Sequence, residues 1–390
     1  MYVHLSMFLS SERMSLCGCD DFPNYPLPAD SFIPYLLLTF IRLRTGLLLT
    51  SMASQYKPIE ILFKHADGID ISMDVYLSPS ASSQSPAPIL LWWHGGGLLQ
   101  GTRKGKDYDS SRIHRTLMRG VGVSPHHLRA PANHNITFVS ADYRLAPQFR
   151  LPTILSDCAD AIKFLHSDQF KKATEGRADP TRVILSGSSA GGWLSLLCGY
   201  GIGFDEAGVP KPPSVQGVVP IYPITDLEDP FWNTTQRPVK YMNRVVAYEE
   251  VQPFLDPNDP ESRIASSALD SPRAIFYSYM VQEALLADLL LSSTNIPPTT
   301  FSVARYLKAL SSPNKMSVPP TYIVHGDKDL KVPVEQSRNI VEALKDLQKT
   351  HVDVEYEYEE LPGLDHLFDR EPKSQMENMY TFIQNVFNSQ

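Results

Sequence analysis

A mostly parallel α/β sheet covered by helices is the fold class this 390-residue chain predicts, on three observations. From residue 58 onward, short apolar or β-branched runs alternate with segments of helical character. Glycine-rich turns follow directly behind two of those runs, at the strand ends where such sheets place their sites. A stretch from about Thr225 to Pro319 breaks the rhythm and is too long for a plain loop. It is expected to be a helical cap over the active edge of the sheet.

The elements follow in order. PIEILFK (58–64) and IDISMDVYL (69–77) flank Ala66-Asp67-Gly68, two alternating segments round a turn, and predict a hairpin. The Ser- and Pro-rich stretch 78–88 reads as a surface loop. Core strands are expected at 89–93, 136–140, 182–186, 215–219 and 321–325, and an edge strand over the alternating VDVEYEY at 352–358. Helices are expected at 154–165 and 337–347 between them. The chain therefore divides into an apolar N-terminal extension (1–57), the first part of the α/β core (58–224), the cap insertion (225–318) and the second part of the core (319–390).

The segment 32–49 in the extension is strongly apolar, but Arg42 and Arg44 interrupt it and Pro34 lies near its start. A membrane span would need about 20 uninterrupted apolar residues. It also lies too far from the terminus for an ordinary signal peptide. Three readings stay open: a helix contributing to the cap, a poorly folded extension ahead of a start at Met52, or a membrane anchor. Membrane association can enter only through this segment.

Lys and Arg total 35 against 43 Asp and Glu, a net charge of −8, which argues against a nucleic-acid surface. Cys17 and Cys19 frame a single glycine, too little for a metal site or a disulfide framework, and Cys158 and Cys198 read as small buried groups. No ligand set points to metal catalysis.

The chemistry concentrates in VILSGSSAGG (183–192). A strand runs straight into Gly187-Ser188-Ser189-Ala190-Gly191, where small residues permit a sharp strand-to-helix turn that lifts Ser189 above the sheet. The same stretch could be a small-residue helix start that merely allows close packing, so partners decide. A serine needs a base, a group to orient that base, and donors for the developing oxyanion. HGGG (94–97), again behind an apolar strand, offers the N–H groups of Gly95 and Gly96 with that of Ala190; His94 is expected to brace this loop. His366 follows the last strand in a turn-rich setting and is the candidate base. Asp327 and Asp329 both follow the 321–325 strand; Asp329, deeper in the loop, is preferred as the third member. His325 reads as a strand-end packing or hydrogen-bonding residue. Trp92, Trp93, Leu98 to Gln100, Tyr222 to Asp226 and Pro230 to Asn233 could form a partly aromatic pocket rim or simply core.

These residues resemble the α/β-hydrolase fold, and within it the hormone-sensitive-lipase-like esterases. The matching features are HGGG (94–97), YRLAP (143–147), GSSAGG (187–192), the Gly326-x-x-Asp329 loop and the late His366, spread over about residues 58–385. The resemblance implies Ser189 as nucleophile, His366 as general base, Asp329 as its orienter, and Gly95, Gly96 and Ala190 as the oxyanion hole. It implies a cap built from N-terminal residues plus the 225–318 insertion. Ser188 before the nucleophile, Gln148 after YRLAP and DLKVP (329–333) depart from the usual family pattern. The broader pattern is similar to uncharacterised fungal α/β hydrolases, some linked to secondary metabolism.

The expected activity is hydrolysis of a small or medium carboxylic ester through an acyl-enzyme, with no cofactor or metal. The same groups could serve an acyltransferase, thioesterase, lactonase or cyclase, and a non-catalytic small-molecule-binding module is the remaining alternative. The expected location is cytoplasmic, with membrane association and secretion left as alternatives, and the sequence leaves the oligomeric state open.

Overall fold

The computed structural model describes residues 57–104, 122–268, 270–310 and 318–389. The segment 32–49, Met52, and the proposed share of 1–57 in a cap lie outside the described residues.

The chain enters through a hairpin, β1 (Ile59–Ala66) and β2 (Ile69–Tyr76). Asp67 (φ 52) and Gly68 (φ 76) both turn left-handed, the conformation a two-residue hairpin demands. Next come β3 (Ala87–Trp93), α1 (Pro125–His134), β4 (Thr137–Ala141), α2 (Leu151–Phe164), α3 (Asp168–Ala173), β5 (Ala178–Ser188), α4 (Ala190–Tyr200) and β6 (Gly217–Ile221). The second half of the core holds β7 (Thr321–Gly326), α10 (Glu335–Gln348), β8 (Tyr356–Leu361) and α11 (Glu377–Asn388). The strands form one eight-stranded sheet in the order β1-β2-β4-β3-β5-β6-β7-β8. β1 and β2 pair antiparallel, as do β2 and β4, while every pairing from β4 through to β8 is parallel.

Alternation along β3 shows why the sheet is covered on both sides. Ile89, Leu91 and Trp93 join one apolar cluster, and Leu90 and Trp92 join another on the opposite face. All five are wholly buried, and burial of each such side chain stabilises the fold by about 1.5–3 kcal/mol. Both described cysteines, Cys158 and Cys198, are buried free thiols. The last strand lies further along than its sequence suggests: β8 begins at Tyr356, not at Val352. Val352 is 92% exposed; the residues after α10 turn the chain back before Tyr356 pairs with Thr321.

Between β6 and β7 the described residues contain no strand. They form α5 (Pro230–Asn233), α6 (Tyr248–Leu255), α7 (Phe276–Gln282), α8 (Leu286–Leu291) and α9 (Val303–Ala309), with short 3₁₀ turns among them. Among the described residues no helix is long and apolar enough to cross a membrane.

Candidate active site

β5 delivers Ser189 on a strained turn. Its backbone stands at φ 58 and ψ −120, a region that non-glycine residues rarely enter. Three neighbours hold it there: its N–H donates to the Ile221 carbonyl (2.8 Å), and its carbonyl accepts from Trp193 and Ile224 (3.2 and 3.3 Å). The small residues around it are a steric requirement. A Cβ on Gly187 would lie 2.1 Å from the Gly191 carbonyl oxygen, and one on Gly191 would lie 2.0 Å from that of Trp93. The other serine of the turn is engaged: Ser188 Oγ accepts from Trp92 Nε1 at 3.2 Å.

The glycine loop behind β3 closes on this turn. A Cβ on Gly95 would meet the Ser188 carbonyl oxygen at 2.7 Å and Ser189 Cβ at 2.9 Å, so the bare backbone of Gly95 is what reaches Ser189. Gly96 is at φ 99. His94 is fully buried; its Nδ1 lies 2.8 Å from the Gly95 carbonyl oxygen and its ring stacks on Tyr143 at 4.3 Å. Tyr143 in turn donates to the His94 carbonyl at 2.8 Å. Burial pushes the His94 imidazole down to about 4, so it is neutral and braces the loop.

The loops after β7 and β8 meet at one hydrogen bond, His366 Nδ1 to Asp329 Oδ2 at 2.6 Å. A carboxylate only accepts, so Nδ1 carries the proton and Nε2 is left as the basic nitrogen. The other oxygen of Asp329 accepts the N–H groups of Lys331 and Val332 at 2.8 and 2.9 Å. His325 Nε2 lies 3.2 Å from Asp329 Oδ2 and 3.1 Å from the Val332 carbonyl oxygen, while its Nδ1 lies 2.7 Å from Ser337 Oγ. Both partners of Nε2 are acceptors, so the His325 proton sits there and Nδ1 accepts from Ser337. Burial alone pushes the Asp329 carboxyl up, but His366 and the hydrogen bond from His325 outweigh it and hold the group well below the usual carboxylate range. Asp327, the rival considered from sequence, accepts the Gly363 N–H at 2.6 Å instead.

Ser189 and His366 line one cavity together with Gly95, Gly96 and Gln100 of the glycine loop and Tyr277 and Ser278 of α7. Ala190 opens α4, where helix geometry leaves the first N–H groups without intrahelical acceptors. The residues considered for the rim divide. Trp92, Trp93, Leu98, Leu99 and Trp232 are wholly buried in the core, and Gln100 reaches the cavity.

The sequence missed Asp365 and Tyr277, and it offered Tyr222 only as rim or core without its role beside His366. Tyr222, at φ 37, packs its ring 4.4 Å from that of His366 and donates its hydroxyl to the buried Asp369. Asp365 Oδ1 accepts the N–H groups of Leu330 and His366 at 2.9 and 2.7 Å, joining the two loops. Tyr277 donates to the Lys331 carbonyl at 2.7 Å and crowds Gly97, whose added Cβ would meet its ring at 2.8 Å. The one advance signal was adjacency: Asp365 touches His366 in sequence, and Tyr222 directly follows a core strand.

A cavity, a strained serine and a carboxylate-bound imidazole thus converge beyond the carboxyl ends of parallel strands. A family profile described as α/β hydrolase fold matches residues 90–266. The chain has the α/β-hydrolase fold. A second profile, the prolyl oligopeptidase family, matches residues 289–390. Among curated proteins, the chain is 27% identical over 341 residues to the non-reducing polyketide synthase ascC of Acremonium egyptiacum, covering 82% of this chain and 14% of that one. It is 27% identical over 288 residues to Esterase LipC of Mycobacterium tuberculosis, covering 73% of this chain and 54% of that protein. The chain therefore spans a small part of the polyketide synthases it matches and about half of LipC. Among solved structures, a Staphylococcus aureus protein of unknown function superposes with a TM-score of 0.58 at 18% identity, over 85% of this chain and 97% of that one.

Proposed function

We propose that this protein is a serine hydrolase of the esterase type, cleaving a small or medium carboxylic ester through an acyl-enzyme on Ser189. The observation that carries the reading is the 2.6 Å contact of His366 Nδ1 with Asp329, beside a strained Ser189 in the same cavity. The resemblance to the hormone-sensitive-lipase-like esterases and the likeness to LipC support it.

In this reading His366 Nε2 takes the Ser189 proton as the oxygen attacks the ester carbonyl. The tetrahedral oxyanion rests against the N–H groups of Gly95, Gly96 and Ala190, each donor worth about 3 kcal/mol in the transition state. Imidazolium then protonates the departing alcohol as the acyl–oxygen bond breaks. A water, deprotonated by the same nitrogen, releases the acid and restores Ser189. Asp329 fixes the tautomer and stabilises the imidazolium. The 225–318 insertion forms the cap, with Tyr277 and Ser278 roofing the cavity.

A second reading rests on the match to polyketide synthases: the same groups would accept a thioester, or pass the acyl group to an alcohol instead of water. An alkyl fluorophosphonate followed by intact-mass measurement tests both. One adduct that disappears in Ser189→Ala, with p-nitrophenyl butyrate turnover falling alongside, supports the hydrolase. No adduct and no turnover by folded protein would remove it and leave a binding module.

A further inference from the structure

The cavity holding Ser189 and His366 reverses the charge of the molecule. The chain carries a net −8, yet the charged side chains lining the cavity beside His366 are Arg370 and Lys331, with no carboxylate among the described lining residues. Arg370 reaches the cavity through a local turn. Leu367 adopts φ 67, the 3₁₀ turn Phe368–Arg370 follows, and the Arg370 N–H closes it on the Leu367 carbonyl at 3.0 Å. The adjacent acid points to the interior: Asp369 is wholly buried, accepts from Ser124 (2.6 Å) and Tyr222, and lies within reach of the Arg370 charge without forming an ion pair with it.

The Arg370 guanidinium donates to the Gly122 carbonyl, while its Nε, shielded from solvent, has no hydrogen-bond partner among the described residues. Lys331 extends its ammonium over the rings of Tyr241 and Tyr277, 4.6 and 5.6 Å from their centroids. Gln100, Ser267 and Ser278 add neutral donors. A guanidinium on the wall of a cavity without carboxylates among its described lining residues favours an anion there, and its planar fork matches a carboxylate.

We propose that the substrate attacked by Ser189 carries a carboxylate, separate from the ester it loses, and that Arg370 recognises it. This rests on the serine-hydrolase reading and narrows its substrate class. Arg370 is a specificity-determining residue here and takes no part in bond making.

The test uses the full chain and two matched pairs of esters. The mono-p-nitrophenyl ester of adipic acid and its methyl-capped neutral form carry the charge on the acyl side. 4-Acetoxybenzoate and its methyl ester carry it on the leaving group. In at least one pair, kcat/KM should favour the anion by about ten-fold or more, chiefly through KM, as a charge-assisted hydrogen bond gives. The preference should shrink as NaCl is raised. In Arg370→Gln the anion-to-neutral ratio should fall about ten-fold, with Arg370→Lys retaining part of it. Ratios at or below one in both wild-type pairs, or a preference untouched in Arg370→Gln, would overturn the proposal. If Arg370→Gln does not fold, the wild-type ratios, their salt dependence and Arg370→Lys decide. Failure of all four esters together with no fluorophosphonate adduct would instead remove the hydrolase reading, and this proposal with it.

Discussion

Ser189 is held where an L-residue is strained by about 1–3 kcal/mol, and only glycine would sit there freely. Ser189→Gly should therefore raise the thermal midpoint while abolishing ester turnover, a pairing that calorimetry and a p-nitrophenyl ester assay check together. Gly95→Ala should do the reverse to the loop. Its methyl would stand 2.7 Å from the Ser188 carbonyl oxygen, driving the loop off Ser189 and lowering kcat by about 10²-fold or more, the scale of losing an oxyanion donor. Asp329→Asn keeps the shape but offers the imidazole a donor in place of an acceptor; kcat should fall about 10³–10⁴-fold with little change in KM. At this scale the sequence was most informative where the chain itself is constrained. Gly187, Gly191 and Gly95 are legible because no other side chain fits. His325 was legible as a strand-end hydrogen-bonding residue and Tyr222 as rim or core, but their partners were not, because nothing local says that the histidine bonds Asp329 or that the tyrosine packs on His366.

Between elements, one buried cation joins the insertion to the glycine loop. Arg273, only 3% exposed, donates to the Leu99 carbonyl (2.6 Å), the Ala146 carbonyl (2.7 Å) and Gln148 Oε1 (3.0 Å). Gln148 continues the link by donating to the Phe254 and Asp256 carbonyls at 3.0 and 2.8 Å. Burial pulls the Arg273 guanidinium down to about 10. Gln148, where the esterases this chain resembles often carry Glu, has a structural counterpart: this side chain must accept from Arg273 and donate to the insertion at once, which a carboxylate cannot do. Arg273→Met should cost about 2–4 kcal/mol by leaving buried acceptors without donors, and should lower kcat because Leu99 lies in the loop after Gly97. Urea unfolding and steady-state kinetics on the same preparation would show both. The sequence placed the strands and helices of the core well, because apolar runs bounded by turns report burial directly. It placed β8 four residues early, since the alternation of 352–358 looks the same whether Val352 is paired or exposed.

Across the whole molecule, buried imidazoles weaken the fold as the pH drops. Burial lowers His94 to about 4 and also lowers His126 and His127. A histidine with a folded pKa below its unfolded value leaves the unfolded chain binding more protons between the two values. Stability therefore falls as pH drops from about 6.5 towards 4, by roughly 3 kcal/mol for His94 alone. The buried Asp142 carboxyl, pushed up to about 6 by burial, works the other way between about 6 and 4, so the thermal midpoint should fall by less than the histidines alone would give. His127 stacks on Phe138 at 4.9 Å, and neither of its nitrogens has a partner among the described residues, so His127→Phe should flatten the fall. The helical character of the 225–318 insertion was foreseen, whereas its contacts with the core were not: Arg273 and Tyr277 act across distances that no local pattern encodes.

Tyr277 touches Gly97 and bonds the Lys331 carbonyl, two residues beyond Asp329. It is a single fastening shared by the loop of oxyanion donors and the loop of the orienting acid. If α7 lifts to admit substrate, both loops lose that fastening in the same motion. Such a molecule would be slacker while open and tightest when shut, with the His366–Asp329 pair held throughout by its own contacts and the donor loop settling only as the insertion closes.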